Sequence, residues 1–354
     1  MRKRKTLPKN FGEMLTTASL AELQAVFERT ELDARGGYGN ATAIGYDDCP
    51  DELLVWLVGQ GLDVNASDRY GETPLWTRAK RGDAAQIPLL LSLGADLERP
   101  RARSGTPLHG AAGNQKPATV RVLLEHGANI HATIDGDPES TPLLSGLRRT
   151  ENLGIADMAE TAALLLEAGA TVTAEARKQV RRIGTNFEFH RAGFNPDLLA
   201  ETDAGLRELY RLFNVEPVPP RLVHDGTAPI TVPAGSWQKQ HHQLWELLVP
   251  SSGAAETVQG EAIRVTGKVA REILDNGSVN WDRAFRAMTS ALPGYFASGT
   301  PLPAAELHEA QVLAKRTRSG KGDDEELARL SELAVAWVRL NPTPLPLAPP
   351  TYHR

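Results

Sequence analysis

The sequence predicts an all-α protein in which a solenoid of helix pairs, joined by short hairpin-like turns, precedes a smaller helical bundle. The tripeptide Thr-Pro-Leu begins at Thr73, Thr106 and Thr141, with spacings of 33 and 35 residues. A glycine after an apolar run recurs at intervals of 33, 33 and 42 residues, at Gly61, Gly94, Gly127 and Gly169. Two markers with one period indicate stacked repeats. Five further helix-like segments after a proline-rich stretch indicate the bundle.

The composition is that of a folded protein, with 41% apolar and 23% charged residues in 354. The net charge of −5 argues against a broad nucleic-acid surface, which would need a cationic field. Cys49 is the single cysteine, which excludes an internal disulfide and favours a reducing compartment. No apolar run approaches the roughly 20 residues that span a bilayer. We therefore expect a monomeric cytoplasmic protein with no cofactor, no metal, and no nucleic-acid or membrane partner.

The N-terminal region divides into a basic run and a helical segment. The start MRKRK is predicted to be a solvated tail, with contact to nucleic acid or anionic lipid as the alternative. Residues 11–35 have Leu20, Leu23 and Phe27 at helical spacing. This segment is predicted to cap the N-terminal end of the solenoid.

The repeat motifs have local roles that explain their spacing. The threonine of each Thr-Pro-Leu can cap a helix through its side-chain oxygen, and the proline fits the first turn. TPLHGAA from Thr106 to Ala112 and VRVLLEHGANI from Val120 to Ile130 follow the pattern closely. In these motifs the sequence resembles the ankyrin repeat, over residues 38–172. The resemblance implies a hairpin-like turn and two antiparallel helices per repeat, and binding to a protein partner.

One position of the motif differs between the repeats. His109 lies where the ankyrin family has a histidine that links neighbouring loops by hydrogen bonds, and a structural role is expected for it. Trp76 and Leu144 replace this histidine in the flanking repeats. We expect the replacement to loosen the bonding between loops and to place an aromatic group near the groove.

The turns between repeats differ in charge. The turn before the Thr106 motif carries Arg99, Arg101 and Arg103, and the next carries Asp135, Asp137 and Glu139. Nine extra residues between Gly127 and Gly169 enlarge exposed loops. The charged turns have two interpretations: a solvated surface, or a docking edge whose charge pattern selects a partner. The predicted partner-binding residues are Arg69, Tyr70, Trp76, Arg78, Arg101, Arg103, Asp135, Asp137 and Glu139.

The pattern weakens after Gly169, where two helical segments are predicted to cap the solenoid. A proline- and glycine-rich segment follows, and its His224 and Asp225 are assigned to a turn because no spacing supplies further metal ligands. The predicted organisation is a basic tail over residues 1–10, a solenoid with capping helices over 11–215, a linker over 216–236, a helical domain over 237–342 and a proline-rich tail over 343–354.

A polar stretch, SSGAAETVQGEA, precedes the second helix of the C-terminal domain. Apolar residues recur at steps of three and four from Val258 to Ile273, which predicts a core-facing stripe. Ser251 or Ser252 is predicted to cap this helix. A possible C-terminal site is formed by Glu256, Gln259, Glu261 and Arg264. The sequence allows three interpretations of these residues: structural roles, contact with a ligand or partner, and catalysis.

The sequence contains no nucleophile with a base, phosphate-binding loop or metal-ligand set at recognisable spacing. We therefore predict a non-catalytic protein that binds a protein partner through the groove and the turns. It would act as an adaptor, regulator or toxin-neutralising protein of bacterial type. The alternative is an enzyme or small-ligand-binding domain in residues 237–342 that the repeats target.

Overall fold

A computed structural model of the chain describes residues 2–353. Two compact units are present. Unit 1 comprises residues 1–187 and 194–218, and unit 2 comprises residues 188–193 and 219–354. Each unit has its own hydrophobic core, and helices dominate both. The predicted fold class, a helical solenoid followed by a smaller helical bundle, is confirmed.

Unit 1 begins with a small sheet that the sequence did not predict. Its elements are β1 (Arg4–Thr6), α1 (Phe11–Thr17), α2 (Leu20–Arg29), β2 (Thr30–Gly36) and β3 (Ala41–Thr42). β2 pairs in parallel with β1 and antiparallel with β3. The prediction of a solvated basic segment agrees with the exposed side chains of β1, but the backbone of β1 is not a loose tail because it pairs with β2.

The helices after the sheet follow the predicted repeat and its capping extension. They are α3 (Asp51–Gly59), α4 (Pro74–Arg81), α5 (Ile87–Ser92), α6 (Pro107–Gly113), α7 (Pro117–Glu125), α8 (Pro142–Arg149), α9 (Ile155–Glu167), α10 (Ala174–His190) and α11 (Pro196–Phe213). All lie in unit 1 except the last three residues of α10, which belong to unit 2. The first helices of successive repeats pack together, α4 on α6 and α6 on α8, and the second helices pack similarly, α5 on α7 and α7 on α9. A continuous core results, as in a solenoid.

Local capping chemistry sets the ends of these helices. The Thr73 hydroxyl accepts a hydrogen bond from the backbone N–H of Trp76 at 3.2 Å, and Thr141 accepts one from Leu144. Gly94 and Gly127 have φ angles of 92° and 84°, a left-handed conformation that favours glycine after a helix. The capping role predicted for the threonine is confirmed at Thr73 and Thr141, whereas the Thr106 hydroxyl contacts His109 Nδ1 at 2.9 Å.

His109 links two consecutive turns. Its Nδ1 accepts a hydrogen bond from the Thr106 backbone N–H at 3.1 Å, so Nε2 carries the proton and donates to the Ser140 carbonyl at 2.8 Å. Burial lowers the pKa of His109, which keeps the ring neutral. The predicted structural role of this residue is confirmed.

Unit 2 contains the five predicted helices. They are α12 (Trp237–Leu248), α13 (Val258–Leu274), α14 (Arg283–Phe296), α15 (Ala304–Thr317) and α16 (Asp324–Leu340). α13 packs against α12, α14 and α16, and its predicted apolar stripe lies in the core. The cap is Thr257, whose hydroxyl accepts from the Gly260 N–H at 3.1 Å, so the prediction of Ser251 or Ser252 is wrong. Those serines lie in the loop that precedes Thr257.

The C-terminal residues of unit 2 are bound to α13 and its preceding loop. The backbone N–H of Val258 donates to the Leu345 carbonyl at 2.8 Å, and that of Leu347 donates to the Glu256 carbonyl at 3.2 Å. Tyr352 is buried. This segment is therefore an ordered strap, although its proline content predicted an extended tail.

Candidate functional site

Four consecutive turns lie along one edge of unit 1. We call them the first turn (residues 37–40), second turn (63–72), third turn (96–105) and fourth turn (129–140). The backbone N–H of Arg69 donates to the Gly39 carbonyl at 2.9 Å, which joins the first and second turns. The Asn65 side chain accepts from the Asp96 N–H at 2.8 Å, and the Glu98 side chain accepts from the Asn129 N–H at 2.7 Å. The turns therefore form a connected surface.

An exposed cluster occupies the first two turns. The Arg69 guanidinium lies 4.6 Å from the ring centroid of Tyr38 and 4.8 Å from that of Tyr70, within the range of cation–π interaction. Its Nη2 donates to the Tyr70 hydroxyl at 2.7 Å. Tyr38 is 84% exposed and Tyr70 42%. We call Tyr38, Arg69 and Tyr70 the tyrosine–arginine cluster.

Hydrogen bonds hold the second turn in shape. One carboxylate oxygen of Asp68 accepts from the backbone N–H groups of Tyr70 and Glu72, at 2.8 and 2.9 Å. The cluster therefore lies on a backbone that the Asp68 hydrogen bonds hold in place. Within the cluster, hydrogen bonding to the Tyr70 hydroxyl raises the pKa of Tyr38, and the same contact lowers the pKa of Tyr70.

Sequence reasoning missed Tyr38, although a signal for it exists. The dipeptide Tyr-Gly occurs at residues 38–39 and again at 70–71, the same place in two successive turns. An alignment of the turns, in addition to the helices, would have identified it.

The third turn supplies further arginines. Arg101 Nε donates to the Tyr70 carbonyl at 3.1 Å and lies 3.4 Å from a carboxylate oxygen of Glu72, so its charge is partly used within the protein. Arg99 and Arg103 are exposed. Arg103 has a φ of 58° in a turn closed by hydrogen bonds between Arg101 and Gly105. An exposed arginine thus lies at the end of the third turn.

The fourth turn carries the opposite charge. Asp135, Asp137 and Glu139 are all exposed. Asp137 accepts from the Glu139 N–H at 2.9 Å, and Arg148 lies 3.3 Å from the Glu139 carboxylate. The exposed acids of the fourth turn are therefore next to a turn that carries three arginines.

Two of the predicted partner-binding residues, Trp76 and Arg78, are buried, so the prediction is wrong for them. The Trp76 indole N–H donates to the Gly105 carbonyl at 3.1 Å, which links two repeats. Arg78 donates to Gln86 and to the Tyr46 carbonyl, both at 2.6 Å. Both side chains therefore make structural contacts in the interior, where buried oxygen atoms of other segments accept their hydrogen bonds.

The four polar residues of the predicted C-terminal site contact separate sets of partners. Glu261 and Arg264 are fully buried and make two hydrogen bonds, of 2.7 and 2.8 Å. The Tyr352 hydroxyl donates to Glu261 at 2.8 Å, and the Ala255 N–H donates to it at 2.9 Å. Burial raises the pKa of Tyr352, so the phenol keeps its proton. The carboxylate is therefore fully engaged by partners within the protein.

Gln259 and Glu256 lie apart from this pair. The buried Gln259 amide donates to the carbonyls of Asn341 and Thr343 and accepts from the Leu345 N–H, at 2.8 to 3.0 Å. The Glu256 side chain is exposed. A cleft of about 580 Å³ lies near the strap, lined by residues 253–255 and by Leu347, Pro349, Pro350, Tyr352 and His353. Of the four predicted residues, none lines this cleft.

Within residues 2–353, no group of three or more His, Cys, Asp or Glu side chains is placed to hold a metal ion. Burial raises the pKa of the Cys49 thiol to about 12, which leaves it protonated and a poor nucleophile. Across the described chain, no helix combines the length and apolar character needed to cross a membrane.

The comparisons with known proteins agree with the geometry of unit 1. Residues 42–134 match the family model "Ankyrin repeats (3 copies)". An ankyrin repeat protein of Fowlpox virus (strain NVSL) is 36% identical over 124 residues, which cover 34% of this chain and 17% of that protein. The match to an E3 ubiquitin-protein ligase of Oryza sativa subsp. japonica is 37% over 101 residues, 28% of this chain and 18% of that protein.

A solved ankyrin repeat domain from Acinetobacter baumannii AYE has a TM-score of 0.40 and 22% identity, covering 58% of this chain and 95% of that one. The chain spans less than a fifth of the length of the two relatives described above. Residues 42–134 are therefore similar to ankyrin repeats, and unit 2 is unassigned. Ankyrin repeats indicate protein–protein interaction, and the repeat fold itself is typically non-catalytic.

Proposed function

We propose that this protein is a non-catalytic cytoplasmic adaptor or regulator that, as a monomer, binds a protein partner through the edge formed by its turns. The observation that carries the proposal is the tyrosine–arginine cluster. Its two tyrosines expose large, mainly apolar rings to solvent. Tyrosine and arginine are the residue types enriched among those that dominate binding energy at protein interfaces.

Two further observations support a binding role for this edge. Hydrogen bonds within and between the turns fix the backbone, so little conformational entropy is lost on association. The arginines of the third turn beside the acids of the fourth turn give the surface a charge pattern that can select a partner and set its orientation. An adaptor, a regulator and a toxin-neutralising protein of bacterial type would all use such a surface in the same way.

A capture experiment with matched variants tests the proposal. The intact chain would be used as bait in lysate of the source cell, and a recovered protein would be purified for affinity measurement. The double variant Arg69→Glu, Arg103→Glu is expected to weaken binding at least about tenfold, since removal of a dominant interface residue costs more than about 1 kcal/mol. Both residues are exposed, so the fold should be kept.

The control is Arg207→Glu, which makes the same change at an exposed arginine of α11. It should leave the affinity unchanged. Equal affinity of the double variant and the control would contradict the proposal, because the turns would then contribute nothing to binding.

A further inference from the structure

The charge of Arg69 has no carboxylate counterpart within the described chain. Among residues 2–353, no carboxylate oxygen lies within 4 Å of a nitrogen of the Arg69 guanidinium. The adjacent Asp68 uses one of its carboxylate oxygens for the backbone of the second turn. The guanidinium has five N–H donors, and it uses them within the cluster only for hydrogen bonds to the tyrosine hydroxyls, one of them to Tyr70 at 2.7 Å. The cluster therefore holds a positioned cation with donors left for another molecule.

The third turn adds further arginines beside this cluster, in a segment that also contains Asp96 and Glu98. Arg101 contacts the backbone of Tyr70 and thereby joins the third turn to the cluster. Arg99 and Arg103 lie on either side of it in sequence and are exposed, and neither forms an ion pair within the described residues. Three arginines, at positions 69, 99 and 103, are thus available on two neighbouring turns.

The two tyrosine rings limit the motion of Arg69. A guanidinium that packs against aromatic rings loses less conformational entropy when it binds, and its planar donors match the two oxygens of a carboxylate. The exposed rings also provide apolar area beside the charge. These properties favour a carboxylate carried on a polypeptide, which presents both charge and apolar surface.

The fourth turn restricts the length of such a ligand. Asp135, Asp137 and Glu139 are exposed next to the third turn and repel anions. A long uniform polyanion such as a nucleic acid would meet this repulsion, and the net charge of −5 also disfavours it. A short acidic segment can remain on the second and third turns.

We propose that the tyrosine–arginine cluster and the exposed arginines of the third turn bind a short acidic segment of the protein partner, with carboxylates on Arg69 and Arg103. The proposal rests on the function proposed above and specifies the chemistry of the partner at the same surface. Arg69 binds one carboxylate with paired donors, and Arg103 binds a second from the adjacent turn.

Fluorescence anisotropy with the intact chain tests this chemistry. The probes are a labelled peptide of alternating acidic and apolar residues, the same peptide with every Asp and Glu replaced by Asn and Gln, and a labelled oligothymidylate. The acidic peptide is expected to bind at least about tenfold more tightly than the amide peptide, and more weakly as salt is added. The oligothymidylate is expected to bind more weakly than the acidic peptide.

Variants then locate the contact. Arg69→Gln and Arg103→Gln should each weaken binding of the acidic peptide several-fold, whereas Arg207→Gln should not. Arg69→Lys should recover only part of the loss, since an ammonium lacks the paired donors. Circular dichroism of each variant would verify that the fold is kept.

Equal binding of the acidic and amide peptides, an unchanged affinity for Arg69→Gln, or tighter binding of the oligothymidylate would each overturn the inference. These results are distinguishable from failure of the proposed function. If the captured protein still depends on Arg69 and Arg103 while the acidic peptide does not bind, the surface binds a partner of other chemistry. If the captured protein is also unaffected by the variants, both proposals fail.

Discussion

Arg78 and Arg81 lie on one helix, α4, and have different roles. Arg78 is fully buried and donates to Gln86 and to the carbonyls of Tyr46 and Ile44. Arg81 is 58% exposed and pairs with Asp47 at 2.6 Å. The same residue type therefore acts as an internal link in one position and as a surface charge in the other.

Replacement of Arg78 by alanine is expected to lower the free energy of unfolding by about 3 kcal/mol or more, because several buried acceptors lose their donors. Arg81→Ala should cost less than about 1 kcal/mol, as is typical of an exposed ion pair. Urea denaturation of both variants, followed by circular dichroism, measures the difference. Equal losses would show that Arg78 contributes no more than a surface charge.

The sequence predicted those residues whose partners are near in the chain. Thr73 caps a residue three positions away, and Gly94 ends the helix that immediately precedes it, so both roles follow from local rules. The burial of Arg78 depends on Tyr46, which is 32 residues away. The candidate site divides similarly: the charges of the turns were predicted, whereas the contact of Arg69 with Tyr38 was not.

At the scale of elements, α13 and the C-terminal strap show why the sequence alone does not determine the residue at which a helix begins. Ser251, Ser252 and Thr257 are all suitable caps, and composition cannot choose among them. In the structure the strap pairs with the chain around Thr257, and Tyr352 reaches Glu261 across 91 residues. The strap and the β1–β2 pairing both depend on contacts between distant segments, which local patterns do not report.

Gln259 is expected to hold the strap on α13. In Gln259→Leu, the carbonyls of Asn341 and Thr343 lose a donor and the Leu345 N–H loses its acceptor. Hydrogen exchange measured by mass spectrometry should therefore be faster for residues 343–348, by about tenfold or more, since a buried hydrogen bond contributes about 1 kcal/mol or more.

Glu256→Gln is the matched control for this experiment. Its side chain is exposed, and the bond from the Leu347 N–H goes to its backbone carbonyl, which the substitution keeps. Exchange of the strap should be unchanged in this variant. Unchanged exchange in Gln259→Leu as well would mean that the backbone pairing around Thr257 is sufficient to hold the strap.

At the scale of the whole molecule, the hydrophobic side chains form two separate cores. One core extends from Leu7 to Val215 and the other from Ile230 to Tyr352. A core residue contributes to the stability of the unit in which it is packed, and removal of part of a buried leucine costs about 2 to 5 kcal/mol. Separate cores therefore predict separate responses to substitution.

Leu147→Ala in unit 1 and Leu333→Ala in unit 2 test this prediction, because both leucines are fully buried. Leu147→Ala should accelerate hydrogen exchange of the most protected amides in unit 1 by at least about thirtyfold, and those of unit 2 should keep the wild-type rate. Leu333→Ala should have the converse effect. Acceleration in both units by either substitution would show that the two cores unfold in one cooperative transition, and the intact chain would then act as a single folding unit when it binds its partner.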